Sequence, residues 1–462
     1  MKYFYLGANI HQEAIDIISN ASNSLIIYEK NNALHVLETL ESMERDGRAF
    51  SIDKPKIVAS CRLLDGPFIE DRERILHAVL NDFKVFLLRM RYLRADLTGA
   101  FNGLAYFSDV IDYAIKLVGE NRPNVVFCSY TPHTVESWIV VRTFEELGAR
   151  VIRLIDSPMP WVLLPVQGLS NKAGVNLSSV PRAVRSYAID EYLDKLSSDY
   201  SIAIPYYEKL ATQGLGLVRR LMDSLKRLAP REVMYQLEKR AVWKEFQLAA
   251  EPLPDRVVFG VYFLHYQPEM NTLPEAGIYC DQFQAVSKLA NALPPGVILV
   301  VKEHPSTFAK RCDRRWRPRG FYARFLELPN VKICPAKTGA FELIDRSLFV
   351  ASIAGVCMTE ALARSKPVVT FFTPRFADFF GEVVIDANQA TINQLRHSLS
   401  LIAYGKLTVS RDKLRKSIES LIACGYDGAL DNTYLPNSVD ESYGNSMRAN
   451  RLALKDVIAG SL

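Results

Sequence analysis

Residues 124–156 spell out a strand, a helix and a second strand, which restricts the chain to folds with a helix-covered parallel sheet. The apolar run VVFCS is followed by Thr131 as N-cap, Pro132 at the first helical position, an amphipathic helix to Leu147, Gly148 as C-cap and the run VIRLI. The same alternation predicts strands at residues 3–6, 24–28, 56–60, 124–129 and 149–155, with helices near 12–19, 72–93 and 109–118. A second series predicts strands at 256–264, 297–302, 331–334, 348–353 and 368–372, with helices at 278–293, 341–346 and 358–365. At 462 residues the chain exceeds the roughly 250–300 at which a single core stops growing. The expected architecture is α/β, with two Rossmann-like doubly wound domains facing a cleft. The domains are placed at residues 1–180 and 255–435, separated by a basic helical segment and linker at 181–254 that ends in Glu251-Pro-Leu-Pro254. A tail at 436–462 carries a predicted helix over 446–458.

Composition excludes several functional classes. Lys+Arg exceed Asp+Glu by 56 to 51, too small a surplus over this length for a nucleic-acid binder, and no RNA-binding signature is present. The seven cysteines form no C-x-x-C pair, which argues against a zinc site or a disulfide framework. Polar residues break the apolar run of the N-terminal stretch MKYFYLGANIHQ, and no small-residue cleavage pattern follows, so a cytoplasmic location is expected. No apolar run reaches the ~18 residues that span a bilayer.

Three segments of the second series carry candidate chemistry, each at the C-terminal end of a strand, where doubly wound sheets bind ligands. FLHYQPEMNTLPEAGIYCDQ supplies His265, Gln267, Pro268 and Glu269 in one Pro-stiffened loop. VILVVKEHPST ends its strand on Lys302, Glu303, His304 and Pro305, where an imidazole can donate to a phosphate or protonate a departing oxygen and an ammonium can neutralise charge. LFVASIAGVCMTEALARSKPVV gives a small-residue turn from Ser352 to Gly355 and then a helix start whose N–H groups suit phosphate. Thr359 adds a hydroxyl there, and Glu360 can accept from ribose hydroxyls. In the first series, SYTPHTVESW and RLIDSPMPW place His133, Glu136 and Asp156 at the strand ends of one unit. Asp156 is the preferred catalytic carboxylate, as base toward an acceptor hydroxyl or as nucleophile; the alternative is a cap for the Ser157-Pro158 turn.

The string YQPE-x₄-P, a helix carrying DQ, VKEHP and G-x₄-EAL-x₃-KPVV together resemble bacterial capsule and surface-polysaccharide glycosyltransferases of the GT-B fold. That group includes β-Kdo transferases with paired QP and HP motifs and sialyltransferases with an HP motif. The resemblance covers residues 256–375 well and 124–165 more loosely. It implies that Gln267 and Pro268 match the QP element, that His304 and Pro305 match the HP element contacting the nucleotide phosphate, and that Ser352, Gly355, Thr359 and Glu360 line the nucleotide pocket. It further implies transfer of Kdo or a nonulosonate from a CMP-sugar to a glycan or lipid-linked glycan, with no cofactor beyond the nucleotide-sugar itself. The chain contains no D-x-D triplet, which suits metal-independent transfer. It departs from the family pattern at Ser365, where a Gly usually precedes Lys-Pro, and it lacks an intact acidic-acidic-Gly motif.

Two basic clusters remain. KRCDRRWRPRGFYAR, residues 310–324, and the Leu/Arg-alternating stretch 217–246 offer Arg219, Arg220, Lys226, Arg227, Arg314, Arg315 and Arg317 to an anionic membrane at its inner face; solvated loop and packed helix are the alternatives. Rival functions are a UDP-sugar or CDP-polyol transferase, a nucleotide-sugar epimerase of the same architecture, and a non-catalytic glycan-binding scaffold.

Overall fold

A computed structural model describes residues 2–6, 15–16, 24–28, 37–46, 48–52, 71–80, 82, 100–118, 124–128, 131–132, 134–159, 162–170, 174, 189–198, 230–267, 269–309 and 316–427. The chain forms two compact units, one of residues 1–184, 273–277 and 421–462, the other of residues 185–272 and 278–420. Each is an α/β sandwich on its own sheet.

The first sheet contains β1 (Lys2–Leu6), β2 (Ser24–Tyr28), β3 (Ala49–Ser51), β4 (Val125–Cys128), β5 (Arg150–Asp156), β6 (Val162–Gln167) and β13 (Tyr426–Asp427). Their order is β3-β2-β1-β4-β5-β6-β13. The first five are parallel, and β6 and β13 extend the edge with antiparallel pairings. The predicted crossover forms with a shifted start. Its helix runs Val135–Glu146 and is capped by Thr134, whose hydroxyl accepts from the Ser137 N–H at 3.2 Å. Thr131 is therefore not the cap; its side chain is engaged in a buried ion-pair cluster described below. The helix closes at Leu147, and Gly148 takes φ +94°, a left-handed conformation suited to glycine. Helix Ala100–Val118 begins nine residues before its predicted start. Its Phe107, Ile111 and Ile115 are buried in one core with Ile139, Val140 and Phe144 of the crossover helix. The predicted strand at 56–60 and tail helix at 446–458 lie outside the described residues, as does nearly all of the predicted helix at 12–19.

The second sheet contains β7 (Phe259–Phe263), β8 (Ile298–Lys302), β9 (Val331–Ile333), β10 (Val350–Ser352), β11 (Val368–Thr370) and β12 (Val384–Asp386). Its order, β9-β8-β7-β10-β11-β12, is parallel throughout. This is the doubly wound Rossmann order, and the strand order reverses between β7 and β10. β7 and β8 are buried almost end to end, as a parallel strand covered on both faces requires. Gly260 is needed within β7 because a Cβ there would fall 2.2 Å from the ring of buried Phe349. The helical region 181–254 contributes Ile189–Ser198 and Pro230–Ala249 to this unit.

The helix Val356–Ala363 ends at Arg364, and Ser365 follows at φ +59°. A Gly would meet this left-handed backbone without strain, whereas a Cβ there costs roughly 1–2 kcal/mol. Ser365→Gly should raise stability by about 1 kcal/mol in a urea titration; an unchanged or lowered midpoint would show that the Ser side chain compensates.

Candidate functional site

The loops leaving β7, β8 and β10 meet at the strand-order reversal of the second sheet, and side chains tie each to the next. His265, directly after β7, is buried, and its Nε2 lies 3.2 Å from the Ala354 N–H and 3.1 Å from Ser352 Oγ in the turn after β10. An amide can only donate, so Nε2 carries the lone pair and the ring proton resides on Nδ1. Gln282, the first residue of helix Gln282–Ala292, grips the His265 backbone from both sides. Its Oε1 accepts from the His265 N–H at 2.6 Å, and its Nε2 donates to the His265 carbonyl at 3.0 Å. Asp281 caps that helix by accepting from the Phe283 N–H.

The β8 loop is fixed in a comparable way. The His304 N–H donates to Glu303 Oε1 at 2.6 Å, and the Ser306 N–H donates to His304 Nδ1 at 3.1 Å. Nδ1 is therefore the acceptor, and the ring proton of His304 sits on Nε2. His304 is half-buried and Pro305 exposed. Lys302 is buried, its Nζ donating to the Ala336 carbonyl at 2.5 Å; burial pulls its pKa below the ordinary lysine range. Its ammonium thus holds the loop after β9.

Glu303 and Arg317 form a buried ion pair beneath these loops, 2.8 Å from Arg317 Nε to Glu303 Oε2 and 3.0 Å from Nη2 to Oε1. Arg317 is only 1% exposed, which corrects the expectation that it faces a membrane. Its neighbours Trp316, Phe321 and Tyr322 are buried as well, because this stretch packs its rings inward. Tyr322 meets Phe246 of helix Pro230–Ala249, and Phe246 and Trp243 meet Phe308. Burial opposes the charge on Glu303, and the Arg317 guanidinium together with hydrogen bonds from Tyr322 and His304 more than offsets it, leaving the carboxyl below its usual range. Arg219, Arg220, Lys226, Arg227, Arg314 and Arg315 lie outside the described residues. Among the described residues, no helix is long and apolar enough to cross a membrane.

Beyond β10 the chain turns through Ser352, Ala354 and Gly355 into the helix Val356–Ala363. Gly355 offers this helix no side-chain cap, unlike Thr134, Asp281 and Thr391 at three other helix starts. The next turn carries Thr359 and Glu360, 5% and 3% exposed. The Glu360 carboxyl makes no hydrogen bond among the described residues, although its backbone carbonyl accepts from the Arg364 N–H at 3.0 Å. Its burial raises the carboxyl to about 7, with nearby Arg364 acting in the opposite direction. A carboxyl kept from water, with open acceptor capacity beside an uncapped helix start, is suited to hydroxyl donors of a ligand.

The structure therefore gathers His265, Gln267, Lys302, Glu303, His304, Ser352, Gly355, Thr359 and Glu360 on three adjoining loops of one unit. Gln267 and Glu303 turn their side chains toward Arg317. Glu269 is half-buried and packs within its own loop, its carbonyl accepting from the Thr272 hydroxyl at 2.9 Å. Pro268 and His133 lie outside the described residues. Glu136 and Asp156 belong to the first unit. Glu136 accepts from the Tyr106 hydroxyl at 2.7 Å. Asp156 ends β5, and the following turn is closed by Ser157, whose Oγ donates to the Met159 carbonyl and accepts from its N–H. Gln282 was assigned no role from sequence, and Arg317 was grouped with the membrane-facing basic residues rather than with the site. The signal for Arg317 was its place among Trp316, Phe321 and Tyr322, a ring spacing that marks a packed turn.

Fold and site together define an α/β protein with two Rossmann-like sheets, the second carrying a polar loop cluster at its switch point. No protein family matches the chain, and no curated protein matches it. Among solved structures, the chain is similar to the beta Kdo 2,7 transferase KpsC of Thermosulfurimonas dismutans, at 12% identity and a TM-score of 0.28 over 86% of this chain and 89% of that one. It is similar to the UDP-GlcNAc 2-epimerase of Neisseria meningitidis, at 11% identity and a TM-score of 0.24 over 97% of this chain and 100% of that one. A third is the lipopolysaccharide outer core galactosyltransferase WaaB, at 10% identity and a TM-score of 0.26 over 97% and 99%.

Proposed function

We propose that the chain is a GT-B glycosyltransferase that binds the nucleotide of a sugar donor at the switch point of the second sheet. The observation that carries this reading is that adjoining loops of one sheet carry a helix start without a side-chain cap, an Nε2-protonated His304 and the buried carboxyl of Glu360, which makes no side-chain hydrogen bond among the described residues. The helix start and His304 suit phosphate oxygens, and Glu360 suits the ribose diol. As the sugar–oxygen bond breaks, charge grows on the departing phosphate, and His304 Nε2–H would donate to it. Ser352 and His265 would shape the floor, since their polar atoms already bond one another. Asp156 is our proposed acceptor-side carboxylate, from its place at the C-terminal end of β5.

The donor is proposed to be a CMP-linked 3-deoxy-ulosonic acid, Kdo or a nonulosonate, and the acceptor a glycan or lipid-linked glycan of surface-polysaccharide assembly. This choice follows the paired YQP and KEHP elements. Calorimetric titration with CMP, UDP and CDP tests it. CMP should bind most tightly, and His304→Ala should weaken it by about tenfold or more, the loss of a charge-assisted hydrogen bond. Preference for UDP would sink the donor assignment, and binding of none of the three would sink the nucleotide reading.

A further inference from the structure

We propose that Arg317 is a positioning residue of the nucleotide site, setting the spacing of the β7 and β8 loops and thereby the orientation of His304. The inference rests on the nucleotide reading for its binding consequence but not for its effect on His304. A guanidinium has five N–H donors. Nε and Nη2 reach the two oxygens of Glu303, Nη1 reaches Gln267 Oε1 at 3.0 Å and the Trp316 carbonyl at 3.0 Å, and Nη2 reaches the His265 carbonyl at 3.1 Å. Five acceptors therefore meet five donors, drawn from both loops and from Arg317's own turn.

Glu303 relays this position to His304. Its Oε1 accepts the His304 N–H as well as the Thr307 hydroxyl at 3.0 Å, and its Oε2 accepts the Tyr322 hydroxyl at 2.8 Å. The His304 backbone and its imidazole are thus both held: Glu303 accepts the N–H of His304, and the Ser306 N–H donates to Nδ1. Gln267, also bonded to Arg317, accepts from Gln282, which holds the His265 backbone; the His265 ring bonds the turn after β10. One buried cation is joined in this way to all three ligand-facing loops.

Electrostatics points the same way. A buried ion pair loses much of its attraction to desolvation, and apolar replacements are often as stable. Here the pair also cancels a carboxylate that bonds the backbone of His304, the group proposed to meet the phosphate. Lysine would keep the charge but lose the planar fork, so it would satisfy fewer of the five acceptors.

The test uses the full chain with two variants and two readouts. The double variant Glu303→Gln/Arg317→Met removes both charges at similar volume, and Arg317→Lys removes the fork alone. Thermal unfolding reports folding. Nitrogen-15 shifts of the His304 ring report its tautomer, and titration with the nucleotide that wild type binds best reports the site. Wild type should show a single Nε2–H tautomer. Both variants should show a mixture, and nucleotide affinity should fall by about tenfold or more, as misplaced catalytic groups do. A folded variant with the wild-type tautomer and affinity would overturn the proposal. If the double variant does not fold, Arg317→Lys decides by the same two readouts. If wild type binds no nucleotide, the donor reading fails, and the tautomer measurement still decides the role of Arg317.

Discussion

Replacing Glu275 with Ala should destabilise the first unit by about 3–5 kcal/mol, the usual cost of leaving a buried charge without its partner. Glu275 lies in the segment 273–277 that clusters with that unit, and it is 2% exposed. Its Oε1 accepts from Arg153 Nη1 at 3.0 Å and from the Thr131 hydroxyl at 2.8 Å. Arg153, on β5, is fully buried and spreads its other donors over the Gly168 and Ser170 carbonyls and Thr131. Burial lowers the Arg153 pKa, and Glu275 provides the largest opposing pull. Without Glu275 the desolvation of the guanidinium loses its largest opposing interaction and the Thr131 hydroxyl loses its acceptor. Hydrogen exchange of the β4 and β5 amides should lose protection by roughly two orders of magnitude or more. A change below about 1 kcal/mol would mean that water enters and solvates Arg153. Arg153→Met combined with Glu275→Leu should recover most of the loss, because it removes the charge as well as its partner.

The second large effect is pH-dependent. Glu360 has its carboxyl raised from the ordinary 4.5 to about 7 by burial. Between those values the folded chain keeps a proton that the unfolded chain has released, so this group's contribution to stability is full below 4.5 and lost as pH rises through 7. The span corresponds to about 3 kcal/mol. Glu360→Gln removes the penalty. Its stability relative to wild type should therefore be near zero or slightly negative at pH 4.5 and rise by up to about 3 kcal/mol by pH 8, measured by denaturant titration at each pH. A flat difference would show that Glu360 titrates normally. The same variant should bind nucleotide more weakly at pH 8 if the carboxylate accepts ribose hydroxyls, which makes it more stable and less competent together.

Most of the parallel sheets was legible because strands buried on both faces are written as apolar runs. The six-stranded sheet followed the predicted runs at five of its strands, and β12 was passed over because VVID is too short to show a period. β6 was missed for a different reason. Its sequence VLLPVQ contains Pro165, which reads as a breaker, and only the antiparallel register of Leu154 with Pro165 shows that the strand accommodates it. The N-cap was misplaced because Thr131-Pro132 and Thr134 are both good local signals, and the choice between them depends on Glu275, 144 residues away. The candidate loops could be located from strand ends alone. What each side chain does there could not, since whether Glu303 faces a ligand or a cation depends on Arg317, which local composition grouped with the other basic residues of 310–324.

Strand β13 pairs with β6 to finish the edge of the first sheet, although residues of the second unit separate it from the other six strands. During synthesis the first unit therefore cannot complete its sheet when residue 184 emerges; it waits for Tyr426 and Asp427. At about 5–20 residues per second that delay is roughly 10–50 s. Until then Val162 and Leu163 of β6 lack their partner strand and can pair with another nascent chain. Translation speed through the second unit thereby sets how long that vulnerable edge stays open, and a codon change there would act on the solubility of residues already made.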